Sequence, residues 1–273
     1  MSKPESVILV YKKEHLRQVS RGRYGRIYFG SETCAFLLPS ASDIEKLSVI
    51  RKKMGIEFSV VTPYITQGDL ASVDNLLNYV NKRFPFTEIV VNDWGVLNLI
   101  RTKYADLRMV LGRILSKQSR GPLLIEPKAG HPVPVANMRW TDDDIMYFKS
   151  SIIQNKYAMQ FLKSSGVERF GLDNQKPGFL LDHDNINDEQ IDLYYPYSYL
   201  TSSPYCLTRA ISRKPFVFQR TTRCGKNCLK KRAARVNLFG EVVYVLCNSQ
   251  MYFNGNVEAS LFRKIGRLIK VVI

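Results

Sequence analysis

The sequence predicts an α/β fold built on a (β/α) TIM-type barrel, either complete or incomplete. Apolar, β-branched runs of strand length alternate along the chain with amphipathic patterns of helix length. The runs are apolar on both faces, which is typical of parallel strands that are covered by helices. The chain of 273 residues, with 45% hydrophobic and 23% charged residues, has a globular composition and the length of one large domain of barrel size or of two ordinary domains.

Eight segments have the pattern of such strands. They are residues 6–11, 26–30, 57–62, 88–92, 108–111, 168–172, 192–195 and 242–247. An open doubly wound sheet would show the same alternation, but no Gly-x-Gly-x-x-Gly turn follows the first segment to bind a dinucleotide. We therefore expect a barrel.

Four helices are predicted between these strands from apolar stripes of helical period and from their end signals. They run from cap residues 40–43 to Met54, from residues 68–69 to a point before Pro85, and over residues 94–104 and 155–165. Gly55 is placed to stop the first helix. The Pro- and Gly-containing stretch 121–141 is predicted to be a long irregular connection over the active face of the barrel.

We expect a single barrel domain over residues 1–273, with a late segment, residues 196–256, that carries most of the cysteines and packs on the barrel. The N-terminal apolar run ends at Lys12 after five residues, which does not fit a signal peptide, and no apolar stretch approaches the ~20 residues of a membrane span. The chain is therefore expected to be cytoplasmic. Its 40 Lys and Arg residues against 24 acidic ones give a formal net charge of +16, which favours anionic partners.

The cysteines are the strongest sign of chemistry. They are Cys34, Cys206, Cys224, Cys228 and Cys247, an odd number that favours free thiols or metal ligands over disulfides. Cys224 and Cys228 are four residues apart, so both can reach one metal centre, although they could also be ordinary thiols on a basic helix. Two Cys-x2-Cys pairs, the usual zinc pattern, are lacking, and a 4Fe-4S cluster fits better. Ten basic residues between 209 and 235 would offset the negative charge of such a cluster.

Four segments together resemble one known family. They are residues 87–97, 111–113, 166–169 and 195–206, and the similarity extends roughly over residues 25–256. They resemble the collagenase-like peptidase family, called family U-thirty-two, and in particular its short, single-barrel UbiV/UbiU-like branch. The resemblance implies an iron-sulfur protein that supports oxygen-independent hydroxylation of quinone precursors or RNA, with prephenate as oxygen donor. It also implies a heterodimer with a related barrel protein.

The same resemblance implies a set of cluster ligands. Cys34, Cys206, Cys224 and Cys228 match by position the four cysteines that hold a 4Fe-4S cluster in that branch. Cys247 has no counterpart and is expected to be a core thiol at the end of an apolar strand. The spacer between Cys206 and Cys224 is longer than the branch predicts, so Cys247 remains a substitute for Cys206 as a ligand.

Polar residues at the carboxyl ends of the strands are the candidates for catalysis, because barrel active sites gather there. They are Thr62, Asn92, Asp93, Arg113, Asp173, Asn174 and residues 195–197. Arg113 could hold the carboxylate of an anionic small molecule by paired hydrogen bonds. Asp93 is a second catalytic candidate, but it could equally be the N-cap of the helix that follows.

Two other functions remain open. An RNA-binding or RNA-modifying protein would use the basic residues, which form three groups near residues 12–26, 209–235 and 263–270. A metal-dependent peptidase would match the family name, but the chain has neither His-Glu-x-x-His nor Gly-x-Ser-x-Gly. Residues 182–184, Asp-His-Asp, could bind a metal ion or form a solvated loop.

Overall fold

The fold is a closed, eight-stranded parallel β-barrel surrounded by helices, which confirms the predicted fold class. The structure is a computed structural model. It describes residues 3–20, 22–119, 141–181, 186–211, 224–230, 232–238 and 241–273. The predicted irregular connection over residues 121–141 and the Asp-His-Asp stretch 182–184 therefore lie almost entirely outside the described residues.

The barrel strands run parallel and are named in chain order. They are β1 (Glu5–Val10), β2 (Arg26–Phe29), β3 (Glu57–Val61), β4 (Glu88–Val91), β5 (Arg108–Leu111), β6 (Val167–Asp173), β7 (Ile191–Tyr195) and β12 (Arg267–Val271). Strands β1 to β7 pair in sequence order, and β12 closes the barrel between β7 and β1. Seven of the eight predicted strand segments thus belong to the barrel.

Helices cover the outside of the barrel, and short ones lie at its mouth. They are α1 (Ala41–Met54), α2 (Leu70–Arg83), α3 (Trp94–Lys103), α4 (Asp142–Lys149), α5 (Lys156–Ser164), α6 (Leu207–Ile211) and α7 (Asn227–Lys230). Short 3-10 helices lie at Lys13–Gln18, Ala35–Leu37, Gln67–Asp69, Ile152–Gln154, Asp188–Gln190 and Ala259–Arg263. The predicted end signals of α1 are confirmed, since Ser40 forms a capping box with Asp43 and Gly55 follows in the left-handed conformation.

A second, antiparallel sheet lies at the mouth of the barrel and falls within the late segment 196–256. Its strands are β8 (Tyr197–Ser202), β9 (Ala234–Leu238), β10 (Glu241–Leu246) and β11 (Ser249–Phe253), in the order β8-β11-β10-β9. Tyr199, Leu246 and Met251 of this sheet pack against Leu37 and Ile114, which follow barrel strands β2 and β5. The sheet therefore covers part of the carboxyl end of the barrel, where the candidate residues gather.

The eighth barrel strand differs from the prediction. Residues 242–247 were predicted as a strand within the late segment 196–256, and they belong to the hairpin of β10 and β11, in which Cys247 adopts a positive φ of 54° at the turn. The barrel closes instead through β12, whose Arg267 and Lys270 interrupt the apolar pattern of its sequence. Arg267 is buried there because Glu88 accepts two of its hydrogen bonds, at 2.9 Å each. The sequence pattern cannot show such a pairing in advance.

The two ends of the barrel interior have different chemistry. At the amino ends of the strands, Arg267 and Arg26 form ion pairs with Glu88 and with Glu5. An apolar layer lies above them, formed by Val7, Leu9, Val61, Val90, Val110 and Ile269. The amino end is thus a closed structural base, and the site must lie at the opposite end. Among the described residues, no helix is both long and apolar enough to cross a membrane.

Candidate functional site

The loop that follows β2 positions the first cysteine. Gly30 begins it with a φ of 135°, and a Cβ atom there would lie 2.3 Å from the carbonyl oxygen of Val61, so only glycine fits. The Ser31 hydroxyl then accepts a hydrogen bond from the backbone N–H of Cys34 at 3.1 Å. Sequence and close packing together fix the thiol of Cys34 at the mouth of the barrel.

Asn248 joins three segments that are far apart in the sequence. Its side-chain amide donates to the carbonyl oxygens of Thr33 at 2.6 Å and of Ser203 at 2.7 Å. The backbone N–H of Thr208 also donates to the carbonyl oxygen of Cys247 at 2.9 Å. The loop of Cys34, the segment before α6 and the β10–β11 turn are thereby held together.

All five cysteines line one pocket, which we call the thiol pocket. It has about 690 Å³ of empty space that is partly open to solvent, and its other walls include Thr33, Phe36, Tyr64, Asp69 and Asn248. The thiols of Cys228 and Cys247 are buried, and the other three are partly exposed. The structure therefore brings Cys34 to residues that lie more than 170 positions later in the chain.

The thiols of the pocket influence one another's ionisation. A hydrogen bond with Cys247 lowers the pKa of Cys34 against the opposing effect of burial. The same partner lowers the pKa of Cys228 to about 7, again against burial, and nearby Lys12 contributes. The pKa of Cys247 is raised by its hydrogen bonds to both and by burial. Burial and the neighbouring thiols raise the pKa of Cys206.

The arrangement of these side chains differs from a single-ion site. Among the described residues, no group of three or more His, Cys, Asp or Glu side chains is arranged to hold one metal ion. A tetrahedral zinc site needs all four sulfurs about 2.3 Å from the same ion. In a 4Fe-4S cluster each thiolate binds a different iron, so its sulfurs lie further apart. The five thiols line a common pocket, and the described residues do not form a single-ion arrangement there.

A second pocket, which we call the mouth pocket, lies between the barrel end and the antiparallel sheet. Thr33 and Cys247 line both pockets, so the two adjoin. The polar residues that line the mouth pocket include Arg113, Glu32 and Tyr199. These side chains are nearly or fully buried. A ligand in the mouth pocket would therefore lie next to the thiol pocket.

Four of the five N–H groups of the Arg113 guanidinium donate to groups of the protein. It donates to Glu32 from Nε at 2.9 Å and from Nη2 at 2.6 Å, and to Asp173 from Nη1 at 2.6 Å. Nη1 also donates to the carbonyl oxygen of Tyr197, and the group lies 4.2 Å from the Tyr199 ring. In this structure the hydrogen bonds of Arg113 go to the protein's own carboxylates, and its expected role in holding a substrate carboxylate stays a prediction.

Asp93 acts as a helix cap. One carboxylate oxygen accepts from the backbone N–H groups of Gly95 at 2.8 Å and of Val96 at 3.3 Å at the start of α3. Asp93 lines neither of the two pockets. Of the two readings that the sequence left open, the structure supports the cap.

Several site residues were not found from the sequence. Glu32, Tyr199, Asn248 and Tyr11 were not predicted, although they build the two pockets or join their walls. Glu32 carried a usable signal, since it is an acidic residue directly after a barrel strand. No sequence signal indicated the role of Asn248, because that role depends on the hairpin of the second sheet. His15, the one described histidine, packs against the Tyr11 ring at 5.6 Å and lines neither pocket.

Comparison with known proteins gives no further identification. No family model, no curated protein and no solved structure matches this chain. The resemblance to the collagenase-like peptidase family therefore rests on the sequence motifs alone. Any function must be argued from the two pockets and the residues that build them.

Proposed function

We propose that the chain is an iron-sulfur protein that holds a 4Fe-4S cluster in the thiol pocket. The ligands would be Cys34, Cys206, Cys224 and Cys228, with Cys247 as the substitute for Cys206. The observation that carries the proposal is the convergence of five thiols from four separate chain segments on one pocket. A chance set of buried core thiols would not be expected to meet at a pocket that opens to solvent.

The surroundings of the thiols fit a negatively charged cluster. Lys12 is nearly buried and close enough to Cys228 to lower the pKa of its thiol. The backbone N–H of Lys226 donates to the sulfur of Cys224 at 3.4 Å, as main-chain groups do around cluster thiolates. Leu37, Leu246 and Met251 form an apolar cluster with cysteines of the thiol pocket and shield its inner side. Positive charge, N–H donors and apolar cover are the features that tune and stabilise such a centre.

The proposed reaction is oxygen-independent hydroxylation or related redox chemistry, as the family resemblance implies. Hydroxylation converts a C–H bond of the acceptor to C–OH, a two-electron oxidation. The organic oxygen donor, prephenate by the resemblance, would lose that oxygen atom and take up the two electrons. A bound cluster would supply electron transfer, and the mouth pocket would hold a reactant beside it. A related barrel protein, again by the resemblance, would be the partner.

The first prediction concerns iron content. Protein purified without oxygen is expected to contain about four irons and four acid-labile sulfides per chain, with the visible absorption of such a cluster. The double variant Cys224→Ala/Cys228→Ala should lose nearly all of the iron, because two of the four ligands are gone. Iron, sulfide and the absorption spectrum are measured on matched preparations.

Two single variants identify the remaining ligand. If Cys206 is a ligand, Cys206→Ser should lower the iron content and Cys247→Ser should leave it near the wild-type value. The reverse result would make Cys247 the ligand. Either result agrees with the proposed 4Fe-4S cluster. Wild-type protein with no iron, or with zinc at one ion per chain, would refute the proposal.

A second candidate function, RNA binding, is favoured by one surface. On the outer part of the antiparallel sheet, the Tyr197 ring contacts the rings of Tyr244 at 5.1 Å and Phe253 at 5.5 Å. Arg235 lies 5.6 Å from the Tyr244 ring, and half of the Phe253 side chain is exposed. Aromatic rings beside arginine on a sheet can stack with unpaired bases, and the net charge of +16 would attract phosphates.

The prediction for this candidate is a steep salt dependence. Binding of a single-stranded RNA oligomer should weaken by roughly tenfold or more between 50 and 200 mM salt, since each neutralised phosphate contributes about −0.7 to the logarithmic slope. Tyr244→Ala should weaken binding further, and Tyr147→Ala, on exposed helix α4, is the matched control. An RNA affinity that changes neither with salt concentration nor in Tyr244→Ala would show that this surface does not bind RNA. No described residue pattern favours the third candidate, a metal-dependent peptidase.

A further inference from the structure

Hydrogen bonds join the residues that lie next to Cys34 and Cys247. The Asn248 side chain donates to the carbonyl oxygen of Thr33 at 2.6 Å, across 215 positions of the sequence. The hydroxyl of Ser249 donates to that of Thr33 at 3.0 Å, and both hydrogen bonds are buried. The fold therefore holds the chain segments of Cys34 and Cys247 against each other through bonds that do not involve the two thiols.

The two thiols also interact directly. A hydrogen bond joins the thiol of Cys34 to that of Cys247, and Cys34 packs against the apolar cluster that contains Cys247. A disulfide forms readily only between cysteines whose backbones are already close, because its bond lengths and torsion angles are narrowly restricted. This pair therefore has the nearness that a disulfide requires.

One thiol of the pair can be reached from solvent. Cys34 is partly exposed and lines the thiol pocket, which is partly open to solvent, whereas Cys247 is buried. Cys228 also forms a hydrogen bond with Cys247, but its thiol is buried as well. A small oxidant that enters the thiol pocket therefore meets Cys34 before it meets either buried thiol.

We propose that Cys34 and Cys247 form a reversible disulfide when the chain holds no cluster, with a low-molecular-weight disulfide as the oxidant. The Cys34 sulfur attacks one sulfur of the oxidant, so that a mixed disulfide forms and one thiol molecule leaves. The Cys247 sulfur then attacks the Cys34 sulfur, and the second thiol molecule leaves. The two cysteines lose two electrons and two protons, and the oxidant takes them up as it becomes two thiols.

The disulfide would decide whether the thiol pocket can take up a cluster. Cys34 is a ligand in the proposed function, and only a free thiolate binds iron. The oxidised chain would therefore accept no cluster until a thiol reductant restores Cys34. This consequence rests on the proposed function, whereas the disulfide itself does not depend on it.

The test maps the disulfide by mass spectrometry. The full chain is freed of metal with a chelator, reduced, and incubated with oxidised glutathione, after which remaining thiols are blocked with N-ethylmaleimide. Trypsin cleaves after Lys and Arg and so leaves each of the five cysteines on a different peptide. In most molecules the peptide of Cys34 should be joined to the peptide of Cys247, and dithiothreitol should return both thiols.

Single variants identify the second cysteine of the pair. In Cys247→Ser glutathione should stay attached to Cys34, because no neighbouring thiol displaces it. Cys206→Ser, at another partly exposed cysteine of the same pocket, should leave the cross-link unchanged. In the wild type, a cross-link of Cys247 to Cys228, glutathione that remains on Cys34, or five free thiols would overturn the proposal. The wild-type map decides the question even if a variant fails to fold.

Iron content separates this inference from the proposed function. Protein that is purified without oxygen and still holds its cluster should form little of the cross-link, because Cys34 is bound to iron. Wild-type protein that never contains iron but forms the cross-link would keep this inference and refute the proposed function. A cluster-containing protein whose metal-free form gives no cross-link would do the opposite.

Discussion

The variant Arg113→Met is expected to lower the free energy of unfolding by about 3–5 kcal/mol at neutral pH. Glu32 and Asp173 are both nearly or fully buried, and Arg113 donates to each of them. Methionine keeps most of the side-chain volume but removes the charge, so two buried carboxylates lose the cation that compensates them. Denaturant unfolding followed by circular dichroism measures the loss.

An exposed ion pair of the same barrel provides the control. Arg108 donates to Glu168 at 2.6 Å, but about half of each side chain is exposed. Arg108→Met should therefore cost no more than about 1 kcal/mol, because water already solvates both charges. If the two variants lost similar stability, the network around Arg113 would not organise the barrel mouth in the way described.

The second large effect is a dependence of stability on pH at the base of the barrel. Burial opposes ionisation of Glu88, but hydrogen bonds from Arg267 and the charges of Arg26 and Arg267 outweigh it and lower its pKa to about 2. In the unfolded chain the pKa of a glutamate is about 4.3. The folded state therefore favours the ionised form, and this stabilisation is complete above about pH 4.3 and is lost as the pH falls towards 2.

The variant Glu88→Gln isolates this contribution. The difference of slightly more than two pKa units corresponds to about 3 kcal/mol, which the variant should lose at pH 7. Between pH 4.3 and 2 the unfolding free energies of wild type and variant should converge. Glu57→Gln, at a carboxylate that is about half exposed and paired with Arg51, should follow the wild type within about 1 kcal/mol. A constant difference between Glu88→Gln and wild type across this range would contradict the assignment.

The sequence by itself determined the fold class and most of the elements. Strands such as β3 and β4 are apolar on both faces, and helices such as α1 carry their own end signals, so local patterns sufficed to predict them. The fold was predictable because burial on both faces and helix capping depend on residues that are near one another in the chain.

Charged residues in the core were predictable only in part. Strand β12 was missed because Arg267 and Lys270 look exposed in sequence, whereas Arg267 is buried by pairing with Glu88, which lies 179 positions away. The same limit applies to the partners of Arg113. Its position after β5 was predictable, but its partners Glu32 and Asp173 lie in the loop after β2 and at the end of β6.

The site shows the same division. The cysteines and their spacing were visible in the sequence, but only the tertiary structure placed all five on one pocket. Asn248 holds that arrangement by joining Thr33 to Ser203, and Tyr11 lines the neighbouring pocket. The sequence determined which elements form, because their energies are local. The tertiary structure decided which polar groups meet and which remain unpaired, because those contacts join residues that are distant in the chain.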